Sequence, residues 1–203
     1  MICQWYKDNG YHFLALSDHN IIADEERWIN VAKSRGGEIA FGKYLERFGA
    51  KWVEQRPDPS GAREVRLKML SEYRTLTEEP GRFLLIRSEE ISDRYLTAPI
   101  HLNATNLSTL IKPQGGASIV EVMQNNINAV VAQRAQTGVP MIPHINHPNF
   151  GWAITAEELA RVENEQFFEI YNGHPAVHNE GNDTHASTDR VWDIVANPFQ
   201  LRA

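Results

Sequence analysis

Apolar residues in this chain fall into short blocks separated by polar, glycine-bearing stretches, and the blocks read in two different periods. Ile2 to Asn9 has a helical mixture stopped by Gly10, a residue suited to the left-handed conformation beyond a helix end. Tyr11 to Ser17 is short, apolar and aromatic, as a buried strand should be, and runs directly into Asp18-His19-Asn20. Ile22 to Lys33 reads as helical. Glycines at 36, 37 and 42 and a polar region with Pro57, Pro59 and Gly61 then read as an excursion, closed by a helical pattern from Val65 to Thr77 and by Pro80-Gly81. Phe83 to Ile86 predicts a second buried strand leading to Glu89-Glu90, and Ile100 to Ala104 a third. Ser118 with Glu121 matches a capping box at the head of a helix running to Gly138. Met141 to Ile145 follows as a strand ending in His144-Ile145-Asn146-His147-Pro148. Thr155 and Glu158 start a further helix to about Val162, Phe167 to Tyr171 is strand-like, and a last helix begins near Ser187 with Val191, Trp192 and Val195.

Strands alternating with helices imply crossover connections and parallel pairing. The expected fold class is therefore α/β with mostly parallel strands, in one domain over 1–203 interrupted by the excursion at about 36–80. Ligands in such folds bind beyond the carboxyl ends of the strands.

Composition narrows the function classes. The 203 residues are 42% hydrophobic, enough for a substantial core and incompatible with a disordered chain. Twenty Lys and Arg against 26 Asp and Glu give a net charge of -6, so no bulk attraction toward nucleic acid or anionic lipid is built in. The one cysteine, Cys3, forms no internal disulfide and supplies no thiolate set, which leaves His, Asp and Glu to hold any metal. No stretch approaches the length of a membrane span, and Met1 leads into Ile2-Cys3-Gln4-Trp5 without an export signal, from which a cytoplasmic location is expected.

Four predicted strand ends carry candidate chemistry: Asp18-His19, Glu90, His101 and His147. One histidine at a strand end is more often a structural residue than a ligand. Imidazole and carboxylate in combination suit Zn, Mn or Fe. Asp18 also reads as a helix cap, which makes His19 the better ligand and Asp18 an orienting group. Glu89 and Glu90 are adjacent, so a regular strand sends only one of them inward. His144 and His147, three apart, fall on opposite faces of a regular strand, and spacing does not choose between them. Asn172, at the end of Ile170-Tyr171-Asn172, could position a substrate or a water. His174, His178 and His185 sit in a glycine- and asparagine-rich loop, where exposed histidines without a ligand role are the rule. Phe150, Trp152 and Tyr171 either wall a pocket or belong to the core.

Taken as an ordered set, Ser17-Asp18-His19-Asn20 after the GYHFLAL strand, Glu90 in SEEIS, His101 in HLNATN and NHPNF at 146–150 resemble the polymerase and histidinol phosphatase (PHP) family. EIYNGHP at 169–175 and VWD at 191–193 resemble its following elements. The resemblance covers nearly the whole chain. It implies a distorted (β/α)7 TIM-like barrel holding two or three divalent ions, commonly Zn, Mn, Fe or Mg, and hydrolysis of a small-molecule phosphoester. Carried over by motif, His19, Glu90, His101 and His147 are metal ligands, Glu90 the bridge, with Asp18 and Asn172 as catalytic positions around them. His144 does not fall on the family's His-Pro element.

Two family elements have no counterpart. The opening His-x-His lies on a strand that would precede residue 2, and the closing Asp-x-His follows the VWD helix, where this chain reads Asn197-Pro198-Phe199-Gln200-Leu201-Arg202-Ala203. Asp183-Thr184-His185 has the right spacing but comes before that helix. The barrel is therefore expected to be incomplete at both ends. In the intact family, cations lower the pKa of a water and neutralise charge on the phosphoryl oxygens. The competing expectations are a non-catalytic remnant that binds a metal or a partner, and a metal-dependent amidase or C–O lyase. No dedicated phosphate-gripping basic residue is identifiable; Arg87 and Arg94 flank the Glu90 segment, where a solvated surface charge is the commoner role.

Overall fold

The structure is a computed structural model and describes residues 2–164 and 167–197. The tail 198–203, on which the expected lack of a closing strand partly rests, lies outside the described residues. The chain divides into two compact units, one formed by Ala23–Pro80 and the other by the chain on either side of it.

The larger unit is built on a four-stranded sheet in the order β1-β5-β6-β7, with β1 at Phe13–Leu16, β5 at Leu84–Tyr95, β6 at Ala98–Thr105 and β7 at Ile142–Ile145. Helix α1 (Ile2–Asp8) leads into β1. Only β1 and β5 pair in parallel; β5 with β6 and β6 with β7 are antiparallel. This overturns the expectation of a mostly parallel, TIM-like (β/α)7 barrel: the described residues form a mixed open sheet with no closed barrel. The physical reason is the connection between β5 and β6. Leu96 and Thr97 alone join them, too few residues for a crossover, and Leu96 takes a left-handed φ of 53° to make the turn. Phe167–Tyr171 is not a strand either; it contributes one parallel bridge, Phe168 against Ile145.

Alternation along β5 and β6 gives the sheet two unlike faces. Ile91, Ile100, Leu102 and Ala104 point to one face and are almost wholly buried, together with Ile145 of β7. They pack on Val122, Met123, Ile127 and Val130 of α4 (Ile119–Thr137). Half of the expected capping box is present: Ser118 accepts from the Glu121 backbone N–H, while the Glu121 carboxylate accepts from the Ala117 N–H instead of that of Ser118, and Gly138 closes α4 at φ 68°. On the same face Asp93 accepts hydrogen bonds from the Asn126 side chain (2.9 Å) and the Gly115 backbone (2.8 Å), fixing the helix to the sheet. Helices α5 (Ala156–Leu159), with a full Thr155/Glu158 capping box, and α6 (Thr188–Ala196) complete the unit. Ile127 has no exposed surface, so Ile127→Ala should lower unfolding free energy by about 2–5 kcal/mol in a denaturant titration. A loss below about 1 kcal/mol would mean that α4 does not seal this core.

The smaller unit departs further from the sequence pattern. The helix expected over Ile22 to Lys33 is absent: Arg27–Asn30 is strand β2, because Trp28 and Ile29 pair with Arg66 and Val65 of β4 (Arg63–Leu67). Together with β3 (Gln55–Pro57) these form an antiparallel sheet in the order β2-β4-β3. The glycine-bearing stretch expected to be loose is helix α2 (Gly37–Phe48). Phe41, Tyr44, Leu45 and Phe48 recur at helical spacing and pack with Val31, Val53 and Val65. Of the helix expected from Val65 to Thr77 only α3 (Leu70–Thr77) is present. Arg66, buried, donates to Glu54 at 2.5 Å and to Glu72 at 2.6 Å, and these hydrogen bonds hold both carboxyls at a pKa of about 2.

Candidate metal centre

The face of the large sheet opposite α4 carries a row of polar side chains set by register. His19, just past β1, bridges Glu90 of β5; Glu90 lies opposite Asn103 of β6; Asn103 lies opposite His144 of β7. Two residues along, and on the same face, Ser92 lies opposite His101. The candidate ligands therefore stand on a sheet face, because β5 continues to Tyr95, well past Ile86 where the sequence pattern ended it, and His101 lies within β6.

Asn20 extends the β1–β5 alignment. Its side chain accepts from the Ser92 backbone N–H (2.8 Å) and donates to the Ser92 carbonyl (3.0 Å), and its backbone N–H donates to the Glu90 carbonyl (2.8 Å). This clamp sets His19 against Glu90: His19 Nδ1 is 2.6 Å from Glu90 Oε2 and 2.5 Å from the Ser92 hydroxyl. Glu90 is 7% exposed, whereas the His19 side chain is 69% exposed. His101 Nδ1 lies 3.6 Å from Glu90 Oε1, and the donor atoms of His19, Glu90 and His101 all fall within 4.8 Å of one another. Two imidazoles and a carboxylate converging in this way could hold a divalent metal ion. Burial pushes the His101 imidazole below its ordinary pKa; Glu90 opposes that, and His147 and His19 add to it. His101 is thus neutral near pH 7, the form that offers a lone pair.

His147 borders this group on the side of His101 and Glu90. Its Nε2 is 3.0 Å from His101 Nδ1 and 3.8 Å from Glu90 Oε1. Its backbone adopts φ 26°, unusual for a residue other than glycine. Phe150 packs its ring against both His101 and His147, at centroid distances of 6.0 and 5.4 Å. Glu169 Oε2 lies 2.9 Å from both the backbone N and the ring Nδ1 of His147. Burial pushes the Glu169 carboxyl up, but hydrogen bonds from His147 and Asn172 outweigh it and hold the group below its ordinary value.

The other sequence candidates land as follows. The Asp18 carboxylate is exposed and bonds to no member of the group among the described residues; its backbone carbonyl accepts from Glu90 N–H at 3.0 Å. Asn172 reaches the site through Glu169, donating to Oε1 at 2.9 Å. His144 stands outside the group, 3.3 Å from the Asn103 amide, and burial lowers its pKa against the pull of Glu169. His178 and His185 stack on Trp152 at 4.4 and 4.2 Å, His174 packs on Phe150, and Tyr171 is 71% exposed. Arg87, on the α4 face, donates to the Ser108 carbonyl, while Arg94 lies on the same face as Glu90.

Three contributors escaped the sequence reading. Asn146 donates to Glu90 Oε1 (2.7 Å) and to Asn103 (3.1 Å), Asn20 clamps Ser92, and Glu169 holds His147. Each sits inside a quoted motif beside a more conspicuous residue: NHPNF, SDHN and EIYNGHP. Neither a comparison with protein-family models nor one with curated proteins finds a match for this chain.

Proposed function

We propose that the chain is a divalent-metal-dependent hydrolase of phosphoesters, akin in its motifs to PHP enzymes, with His19, Glu90, His101 and His147 as the metal-holding residues. The observation that carries this reading is the convergence of His19, just past β1, with Glu90 of β5 and His101 of β6, with donor atoms within 4.8 Å. Zn, Mn, Fe or Mg held there supplies Lewis acidity, lowering the pKa of a water and neutralising charge on a phosphoryl oxygen. The chain's own part is to hold the donor set. Asn146 and the β6 register fix Glu90, Asn20 fixes His19, and Phe150 shields the imidazoles from water on one side. Asn172 acts as an orienting residue through Glu169, and Asp18 through its carbonyl to Glu90. Arg94, exposed on the same face four residues further along β5, is the basic residue we assign to an anionic substrate.

A second reading is a metal site that serves a carbonyl substrate or turns nothing over. It is favoured by one observation: among the described residues no lysine or arginine bonds to the cluster, and Arg87 is turned to the opposite face.

The test is elemental analysis of the purified chain after equilibration with Zn or Mn, with turnover measured on an aryl phosphate and an aryl ester. At least one ion per chain and phosphate turnover lost in His19→Ala support the first reading. Bound metal with ester turnover alone, or with none, favours the second. A chain that retains no metal overturns both.

A further inference from the structure

We propose that Glu169 is the positioning residue of this centre, fixing His147 as the Nδ1–H tautomer so that its Nε2 lone pair joins the donors of Glu90 and His101. The proposal rests on the reading of the cluster as a cation site and adds to it a residue that no ligand motif marks.

The argument starts at the backbone. The chain at 167–169 runs beside β7, with Ile145 N–H donating to the Phe167 carbonyl (3.3 Å) and Glu169 N–H to the Ile145 carbonyl (2.9 Å). That register sets residue 169 level with the turn that follows β7. There His147 is held at φ 26°, a conformation that side chains other than glycine adopt only when their surroundings enforce it. One enforcing contact is the His147 N–H to Glu169 Oε2 at 2.9 Å.

The same oxygen lies 2.9 Å from His147 Nδ1, and Asn172 donates to the other oxygen at 2.9 Å. Asn172 is itself immobilised by a reciprocal pair with Asn179: its backbone N–H donates to Asn179 Oδ1 (3.0 Å), and Asn179 Nδ2 donates to its carbonyl (2.8 Å). A carboxylate surrounded by N–H donors only accepts, so the ring proton resides on Nδ1 and the lone pair on Nε2. Nε2 is the atom 3.0 Å from His101 Nδ1 and 3.8 Å from Glu90 Oε1. A carboxylate behind a ligating imidazole fixes its orientation, raises its basicity and is worth 10–100-fold in metal affinity.

The experiment uses the full chain, its Glu169→Ala and Glu169→Gln variants, and His147→Ala. In the metal-free chain, ring 15N chemical shifts report the His147 tautomer directly. The parent should show Nδ1–H, and Glu169→Ala should lose that preference; an unchanged tautomer in Glu169→Ala overturns the proposal. Cobalt(II) titration then reads the centre. Glu169→Ala should bind about 10–100-fold more weakly, with a visible spectrum moved toward that of His147→Ala, and Glu169→Gln, which keeps the side chain's size, should fall between. A role confined to holding the loop would lower the melting temperature and leave cobalt affinity and spectrum as in the parent, which also overturns the proposal. A parent chain that takes up no cobalt while showing the Nδ1–H tautomer overturns the cation reading and leaves the Glu169–His147 assignment standing. Should Glu169→Ala fail to fold, the same comparisons are made with Glu169→Gln.

Discussion

Glu90→Gln should leave the chain folded and unable to retain a divalent cation, with affinity lowered by more than about 100-fold, beyond the 10–100-fold that outer partners contribute. Glu90 is the one residue placed against three imidazoles, with His19 on Oε2 and His101 and His147 on the side of Oε1. Glutamine has the same shape, and its amide oxygen can still accept from Asn146, now 2.7 Å from Glu90 Oε1. What it lacks is the negative charge, which no imidazole ligand can supply and on which a hard or borderline cation depends. Elemental analysis after dialysis against Zn or Mn, with circular dichroism to establish folding, reads the outcome. Metal content equal to the parent's would remove Glu90 from the ligand set.

The second large effect concerns the neighbouring carboxylate. Glu89 has no exposed surface, accepts one hydrogen bond, from Ile111 N–H at 2.6 Å, and leaves Oε2 without a partner. Burial pushes its pKa up to about 7, against the lowering effect of the Ile111 bond. The folded state therefore holds this proton more tightly than the unfolded chain does. Its stabilising contribution is complete below pH 4.5 and is lost as the pH rises through about 7. The loss amounts to about 3 kcal/mol, from the shift of roughly 2.5 units at about 1.4 kcal/mol each. Glu89→Gln removes this dependence. Denaturant titrations of parent and variant at pH 4.5 and pH 8.5 should show the stability gap between them moving by about 3 kcal/mol in the variant's favour, while the pH response of every other group cancels. An unchanged gap would mean that Glu89 is ionised in the fold.

The two adjacent glutamates show how far a linear reading reaches. Alternation requires Glu89 and Glu90 to face opposite ways, but the sequence does not say which faces the core. The pairing of β5 with β6 and the packing of α4 decide it: Glu89 stands opposite Ala104 on the face that α4 covers, and Glu90 opposite Asn103 on the other. His144 and His147 are a similar case. His144 is in register with Asn103, whereas the left-handed turn at His147 takes that residue out of the strand and into the cluster.

Legibility was highest where the local signal agreed with the final environment. α1, α4 and α6 lie where periodicity and caps put them, and α5 starts at its expected cap but stops at Leu159 rather than near Val162; Ser118, Gly138, Thr155 and Ser187 satisfy helix ends without help from distant residues. It was lowest in the smaller unit. Glycines at 37 and 42 obscured the helical spacing of Phe41, Tyr44, Leu45 and Phe48, and the Trp28-Ile29 pair became a strand only because β4 lies beside it.

The sequence by itself determined the capped helices, the absence of a thiolate site and the three residues, His19, Glu90 and His101, that could hold a cation. The tertiary structure decided the direction of the strands and the faces on which those residues stand. Leu96-Thr97 carries none of the glycine or asparagine that announces a tight hairpin, so β5 and β6 read as two separate parallel strands. Pairing energy along eight opposed residues fixes that turn from outside it. Strand direction and register are properties of the pairing between segments, and no single segment encodes them.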